Sequence, residues 1–114
     1  EYKDIKFLIG QNAQDNWDIF DSSFKLNPEY IWFHLNSFPS PYIIMHSTIK
    51  ELNSLYSFKE LQEILIYGAT LCKDNSKYSF LNDLKICYTS LKKLTKTGKI
   101  GEINIKGKKN IIKL

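Results

Sequence analysis

The run IWFHL at residues 31–35 alternates bulky side chains with a period of two, and prolines follow it at positions 39 and 41. A period of two belongs to a pleated strand, with Ile31, Phe33 and Leu35 on one face and Trp32 and His34 on the other. Proline lacks a backbone donor, so Pro39-Ser40-Pro41 must break this strand before Tyr42–His46 resumes a second one. The two are expected to pair antiparallel, across a loop too long and too proline-rich for a two-residue hairpin turn.

The rest of the chain falls into place around this pair. IKFLI at 5–9 reads as a strand with Ile5, Phe7 and Ile9 on one face, stopping at Gly10. Asn12 is placed to cap a short helix that turns Trp17 and Phe20 or Phe24 inward and ends at Asn27-Pro28. The strongest helix signal is the Ser57/Glu60 capping box, followed by apolar residues at helical spacing from Phe58 to Cys72, which predicts a helix over about 58–73. A second box, Thr48 with Glu51, predicts a brief helical turn before it. Lys85–Thr89 alternates as a strand. INI at 103–105 and NIIKL at 110–114 read as a closing hairpin over Gly107-Lys108-Lys109. The sum is α+β: a mostly antiparallel sheet covered on one side by the 58–73 helix, with a shorter N-terminal helix. At 114 residues the chain supports one core, and 1–114 is expected to form a single domain. It begins with Glu1 instead of Met, which fits a piece of a longer chain or a processed form.

Several chemistries find no support. No stretch approaches the roughly 18 apolar residues of a membrane span. Two cysteines, Cys72 and Cys87, do not make a disulfide framework, and a reduced, cytoplasmic setting is expected. His34, His46, Cys72 and Cys87 contain no close pair with metal-ligand spacing, so no metal site is expected. With no G-x-S-x-G elbow, phosphate loop or dinucleotide fingerprint, neither catalysis nor a cofactor is expected. His34 then reads as a half-buried strand histidine or as part of a ligand-contact surface.

Charge is more informative. Residues 1–57 hold four Lys against seven acids, whereas from Leu84 onward there are nine Lys and one acid, Glu102. Such separation points to a polyanionic partner. All sixteen basic residues are Lys, which favours point contacts with phosphates over bidentate reading of guanine. Lys92, Lys93, Lys96 and Lys99 interleave with Thr95, Thr97 and Gly98, and Lys106, Lys108 and Lys109 follow in the turn, so one phosphate-binding patch is expected. Trp32 and Tyr42, if exposed, would stack on unpaired bases; Phe38, if exposed, would mark loop 36–42 as a contact point, and if folded under the loop would be structural.

The segments FLIGQNAQDNWDI, NPEYIWFHLNSFPSPYII, YGATLCKDNS, KICYTSLKKLTKTGKIGEI and the final NIIKL resemble, in order, the motifs of the NFACT-R domain. That family shows a G-R-N-A-x-x-N segment, a W-F-H strand, P-G-S-H, and a basic pair followed by P-G. Gly10, Asn12, Asn16, Trp32, Phe33, His34, Pro39, Lys92, Lys93 and Gly98 fall on these positions. The chain departs from the pattern with Gln11 for Arg, Ser40-Pro41-Tyr42 for G-S-H, Cys72 for Ser, and Thr97 for the Pro before Gly98.

The resemblance implies an RNA-binding module of ribosome-associated quality control factors, which engage the large ribosomal subunit with its stalled peptidyl-tRNA. Stand-alone versions include one that recognises DNA. The expected nucleic-acid-binding set is Asn12, Trp32, His34, Tyr42, Lys92, Lys93, Lys96, Lys99, Lys108 and Lys109. RNA, either tRNA or the large subunit, is the expected partner and DNA the alternative. A different reading makes the chain a protein-interaction domain docking through loop 36–42.

Overall fold

The computed structural model describes residues 1–114. Its centre is β2 (Ile31–Leu35), paired antiparallel with β3 (Ile43–Met45) on one side and β4 (Lys85–Ser90) on the other, with Phe33 opposite both Ile43 and Tyr88. Outside β3 lies β1 (Phe7–Ile9), and outside β4 lies β7 (Asn110–Lys113), giving the order β1-β3-β2-β4-β7. β1 is shorter than its apolar run, because Lys3 and Asp4 adopt left-handed backbone and fold Ile5 back onto Tyr2.

Alternation sorts the strand residues onto two faces, and both are buried. Ile31, Phe33, Leu35, Ile43, Met45 and Ile86 pack against α2 (Ile49–Leu55) and α3 (Phe58–Asp74). Trp32, Tyr42, Ile44 and Cys87 form a second cluster with Phe20 of α1 (Ala13–Leu26) and with Leu91 and Leu94. The cover on that second face was not expected from the sequence. It consists of α1 and a separate two-stranded sheet, β5 (Leu94–Lys96) with β6 (Ile103–Ile105), whose Ile103 and Ile105 pack on the cluster.

The helices begin where the caps direct. Asn12 Oδ1 accepts from the Asp15 amide at 2.8 Å, and Thr48 accepts from Glu51 at 3.0 Å. At α3 the Ser57 hydroxyl accepts from the Glu60 amide while the Glu60 carboxylate accepts from the Ser57 amide, a complete capping box. Asn27 ends α1, with Phe20 fully inward and Phe24 exposed.

The expected 103–114 hairpin does not form. β6 pairs with β5, with Thr95 opposite Asn104, and β7 takes the outer edge of β4, with Cys87 opposite Ile111. The reason is that two separate apolar surfaces need these strands: Ile103 and Ile105 cover Trp32's face, whereas Ile112 joins the α3 side. Lys106–Lys109 is therefore a crossover, not a hairpin turn, with Gly107 in the left-handed region at φ +80°. Reciprocal 2.8 Å backbone bonds between Leu84 and Leu114 anchor β7. No helix is long and apolar enough to cross a membrane.

Gly68 sets the distance of α3 from the sheet. A Cβ there would lie 2.5 Å from Phe33 Cζ, and Phe33 has no exposure through which to move. Alanine would ordinarily favour a helix interior by about 1 kcal/mol over glycine. Overpacking of about 1–3 kcal/mol opposes that gain here. Gly68→Ala is expected to lower the urea midpoint; a raised midpoint would contradict the close α3–β2 packing.

Candidate functional site

At the end of the sheet where β2 stops and β3 begins, four segments enclose an open cleft of about 930 Å³. Its walls are loop 36–42, the start of α1 from Gly10 to Ala13, the β5–β6 turn at 99–102, and the segment 75–78 after α3. Trp32, His34 and Cys87 line its interior.

The resemblance-matched Gly10, Asn12 and Asn16 shape one wall. The Gly10 amide donates to the Tyr42 carbonyl at 2.9 Å, and the Tyr42 amide donates back to Asn16 Oδ1 at 3.1 Å. A Cβ on Gly10 would fall 1.8 Å from that same Oδ1, so the buried Asn16 side chain requires glycine there. The Tyr42 hydroxyl donates to the Gly101 carbonyl at 2.7 Å and ties the opposite wall. Gly101, at φ +84°, sits where a Cβ would be 2.7 Å from that of Ala13. Burial pushes the Tyr42 phenol up to about 12, with the Trp17 indole nearby acting in the opposite sense.

His34 stacks on Trp32 at 5.3 Å and 8°, and meets Tyr42 edge-on at 5.7 Å. Its Nδ1 is 2.8 Å from the Leu35 carbonyl and donates to it. Burial lowers its pKa, the Leu35 and Ser40 carbonyls oppose that, and Lys109 adds to the lowering. The ring is thus neutral at pH 7, with its proton on Nδ1 and Nε2 left as an acceptor. Trp32 is only 2% exposed and its indole N–H, also buried, has no hydrogen-bond partner.

Two expectations change here. Trp32 and Tyr42 are 2% and 1% exposed, so neither offers an open stacking platform, because their face is covered by α1 and the small sheet. The accessible aromatic is Phe38 at the cleft mouth, packed on Tyr78 at 4.6 Å and still 37% exposed.

The expected lysine patch also divides. Lys99 and Lys109 line the cleft, as does Lys77, which the sequence reading did not single out. Lys92 is ion-paired with Glu29 at 2.7 Å and lies with Lys93 in a second, smaller concavity. Lys96 is ion-paired with Asp21 at 2.6 Å and lies over the Trp17 ring. Lys108 is exposed on the crossover. Six of the ten expected residues therefore converge on one cleft: Asn12, Trp32, His34, Tyr42, Lys99 and Lys109. Asn12 does so chiefly as a cap. Lys77 carried a sequence signal only as a lysine just past the expected end of the long helix.

Ser40, which departs from the family pattern, is well accommodated. Its hydroxyl accepts from the Leu35 amide at 3.0 Å, is 3.1 Å from the Pro41 carbonyl, and meets Cys72 Sγ at 3.6 Å. Burial pushes the Cys72 thiol up to about 12, leaving it protonated and unreactive. Elsewhere Ser23 Oγ and His46 Nε2 are 2.8 Å apart, but Ser23 is fully buried and Tyr30 stacks on the imidazole.

Asn16→Ala strands the Tyr42 amide and is expected to destabilise by about 1–3 kcal/mol. In that background Gly10→Ala no longer meets Oδ1, so the double variant should lose less stability than the sum of the singles; strict additivity in urea melts would refute the contact. Burial also lowers the His46 pKa, as it does that of His34. The unfolded chain takes up these protons from about pH 6.5 downward, before the folded protein does. Stability should therefore be full above that pH and fall as pH drops toward the folded values. A urea midpoint that rises on acidification from pH 7 to 5.5 would reverse the sign.

No protein family matches the chain by profile, and no curated protein matches it by sequence. Among solved structures it is similar to the C-terminal part of the fibronectin/fibrinogen-binding protein from Streptococcus suis. The TM-score is 0.77 at 22% identity, over 97% of this chain and 41% of that one. The chain thus spans less than half of that structure, and the two share this α+β fold.

Proposed function

We propose that the protein is a non-catalytic nucleic-acid-binding module, with RNA as its target. The observation that carries this reading is the charge of the cleft: Lys77, Lys99 and Lys109 line it without ion-pair partners, and Glu102 is the one acid among its lining residues. Lys106 and Lys108 extend the positive charge along the crossover. A groove lined by one sign of charge attracts a polyanion, and lysines contact phosphates without reading sequence. The ordered resemblance to the NFACT-R motifs favours RNA over DNA, and with it a cytoplasmic, ribosome-associated role on tRNA or the large subunit.

A second reading rests on the Streptococcus suis neighbour, whose name describes fibronectin and fibrinogen binding, and on the partly exposed Phe38 in loop 36–42. In that case the cleft rim docks a protein chain and the lysines serve solubility.

Fluorescence anisotropy with a labelled 12-nucleotide single-stranded RNA across a NaCl series separates the two. Neutralising phosphates with the five lysines of the cleft and crossover gives a log–log slope of about −3.5. Lys99→Ala with Lys109→Ala should weaken binding to every sequence and reduce the slope magnitude by about 1.4. Lys92→Ala with Lys96→Ala should do less, since those ammonium groups already face Glu29 and Asp21. Absence of salt-dependent binding would overturn the nucleic-acid reading; loss of a protein ligand on Phe38→Ser alone would favour the second.

A further inference from the structure

We propose that the cleft admits one unpaired nucleotide of the bound strand, its base entering against the His34–Trp32 interior and its flanking phosphates meeting Lys99 and Lys109. This rests on the nucleic-acid reading and adds a base-binding step to it.

Three independent features support entry by a base, beyond attraction to its backbone. The first is the interior's unmatched hydrogen-bonding capacity. Trp32 carries a buried indole donor with no partner, beside the half-buried His34 ring whose Nδ1 serves the Leu35 carbonyl. An orphaned buried polar group calls for an explanation, and a ligand with matching edges supplies one. Nucleobases present adjacent donors and acceptors on their Watson–Crick edges, and unpaired bases expose them. The second is size. At about 930 Å³ the open cleft lies within the range of about 300–1,000 Å³ typical of small-molecule sites. The third is the order of chemistries from mouth to interior: lysines at the rim, the Phe38–Tyr78 pair at the entrance, and the half-buried His34 imidazole, backed by Trp32, inside. A single-stranded nucleotide carries phosphate outside and an aromatic face inside, in the same sequence.

Duplex bases cannot follow this path without unpairing. Selectivity for single strands is thus a consequence of the site's depth, whereas the lysines alone would accept either form.

The chain contains two tryptophans, which provides an internal control. Both indole N–H groups are buried, but Trp32 lines the cleft, whereas Trp17, beside the Tyr42 phenol, does not. Titrating the ¹⁵N-labelled protein with CMP and AMP should shift the Trp32 indole and His34 ring signals saturably and leave the Trp17 indole in place. In anisotropy, a 12-nucleotide strand of abasic ribose-phosphate units should bind about tenfold more weakly than the same strand with bases, at an unchanged salt slope. Ile100→Trp, at a cleft-lining side chain that is 53% exposed, should narrow the entrance and remove that difference without disturbing the core.

If the abasic strand binds equally well, with the same salt slope and a silent Trp32, nucleotide entry is overturned and the phosphate reading stands. If no strand binds in a salt-dependent way and neither nucleotide shifts Trp32, both fall. Comparing RNA with DNA of the same sequence assigns the source: a preference for RNA places the 2′-hydroxyl in the site, and equal binding makes the ligand an unpaired nucleotide of either kind.

Discussion

A strand with no solvent face governs this structure. Phe33 on one side of β2 is 0% exposed and Trp32 on the other is 2% exposed, so two adjacent residues each require a separate cover. Burying a side chain of this size stabilises by about 1.5–3 kcal/mol, and each residue loses that contribution if its own cover is missing. The capped α3, kept close by Gly68, supplies one cover. The other is assembled from α1 and the β5–β6 sheet, elements at opposite ends of the chain, and the cleft opens at the edge of that second cover.

This explains what was legible in the sequence and what was not. The strands at 31–35 and 85–90 and the helix at 58–74 follow from short-range periodicity and caps, which operate within a few residues. IWFHL reads as one-sided because alternation reveals which residues share a face and says nothing of what covers the second face. INI and NIIKL have the pattern of strands, but pattern does not choose a partner. The open edge of β4 and the uncovered Trp32 face made that choice, and both arise only after the sheet has assembled. Asn12, Trp32, His34 and Tyr42 reached one site because three of them sit at the β2–β3 end and the fourth caps the adjoining helix.

The lysines show the same division between local and distant information. Their clustering along the last third of the chain is plain in the sequence, whereas their pairing depends on acids some sixty to seventy-five positions earlier. Glu29 and Asp21 meet Lys92 and Lys96, so part of the charge asymmetry is resolved inside the molecule. Exposed ion pairs of this kind contribute little to stability. Their larger effect is to take Lys92 and Lys96 out of the free cations of the last third, while Lys99, Lys106, Lys108 and Lys109 stay unpaired.

The loop around Ser40 has a bearing on how such a chain can change over time. Ser40, Pro41 and Cys72 satisfy one another's polar groups beneath the loop, and neighbouring Tyr42 reaches across to Gly101. A replacement of the Ser40, Tyr42 or Cys72 side chain leaves a stranded group or void at another of these sites, so single steps are disfavoured while compensated pairs are not. Ser40, Tyr42 and Cys72 thus form one physically coupled unit, and exchanges in this loop are best tolerated when linked.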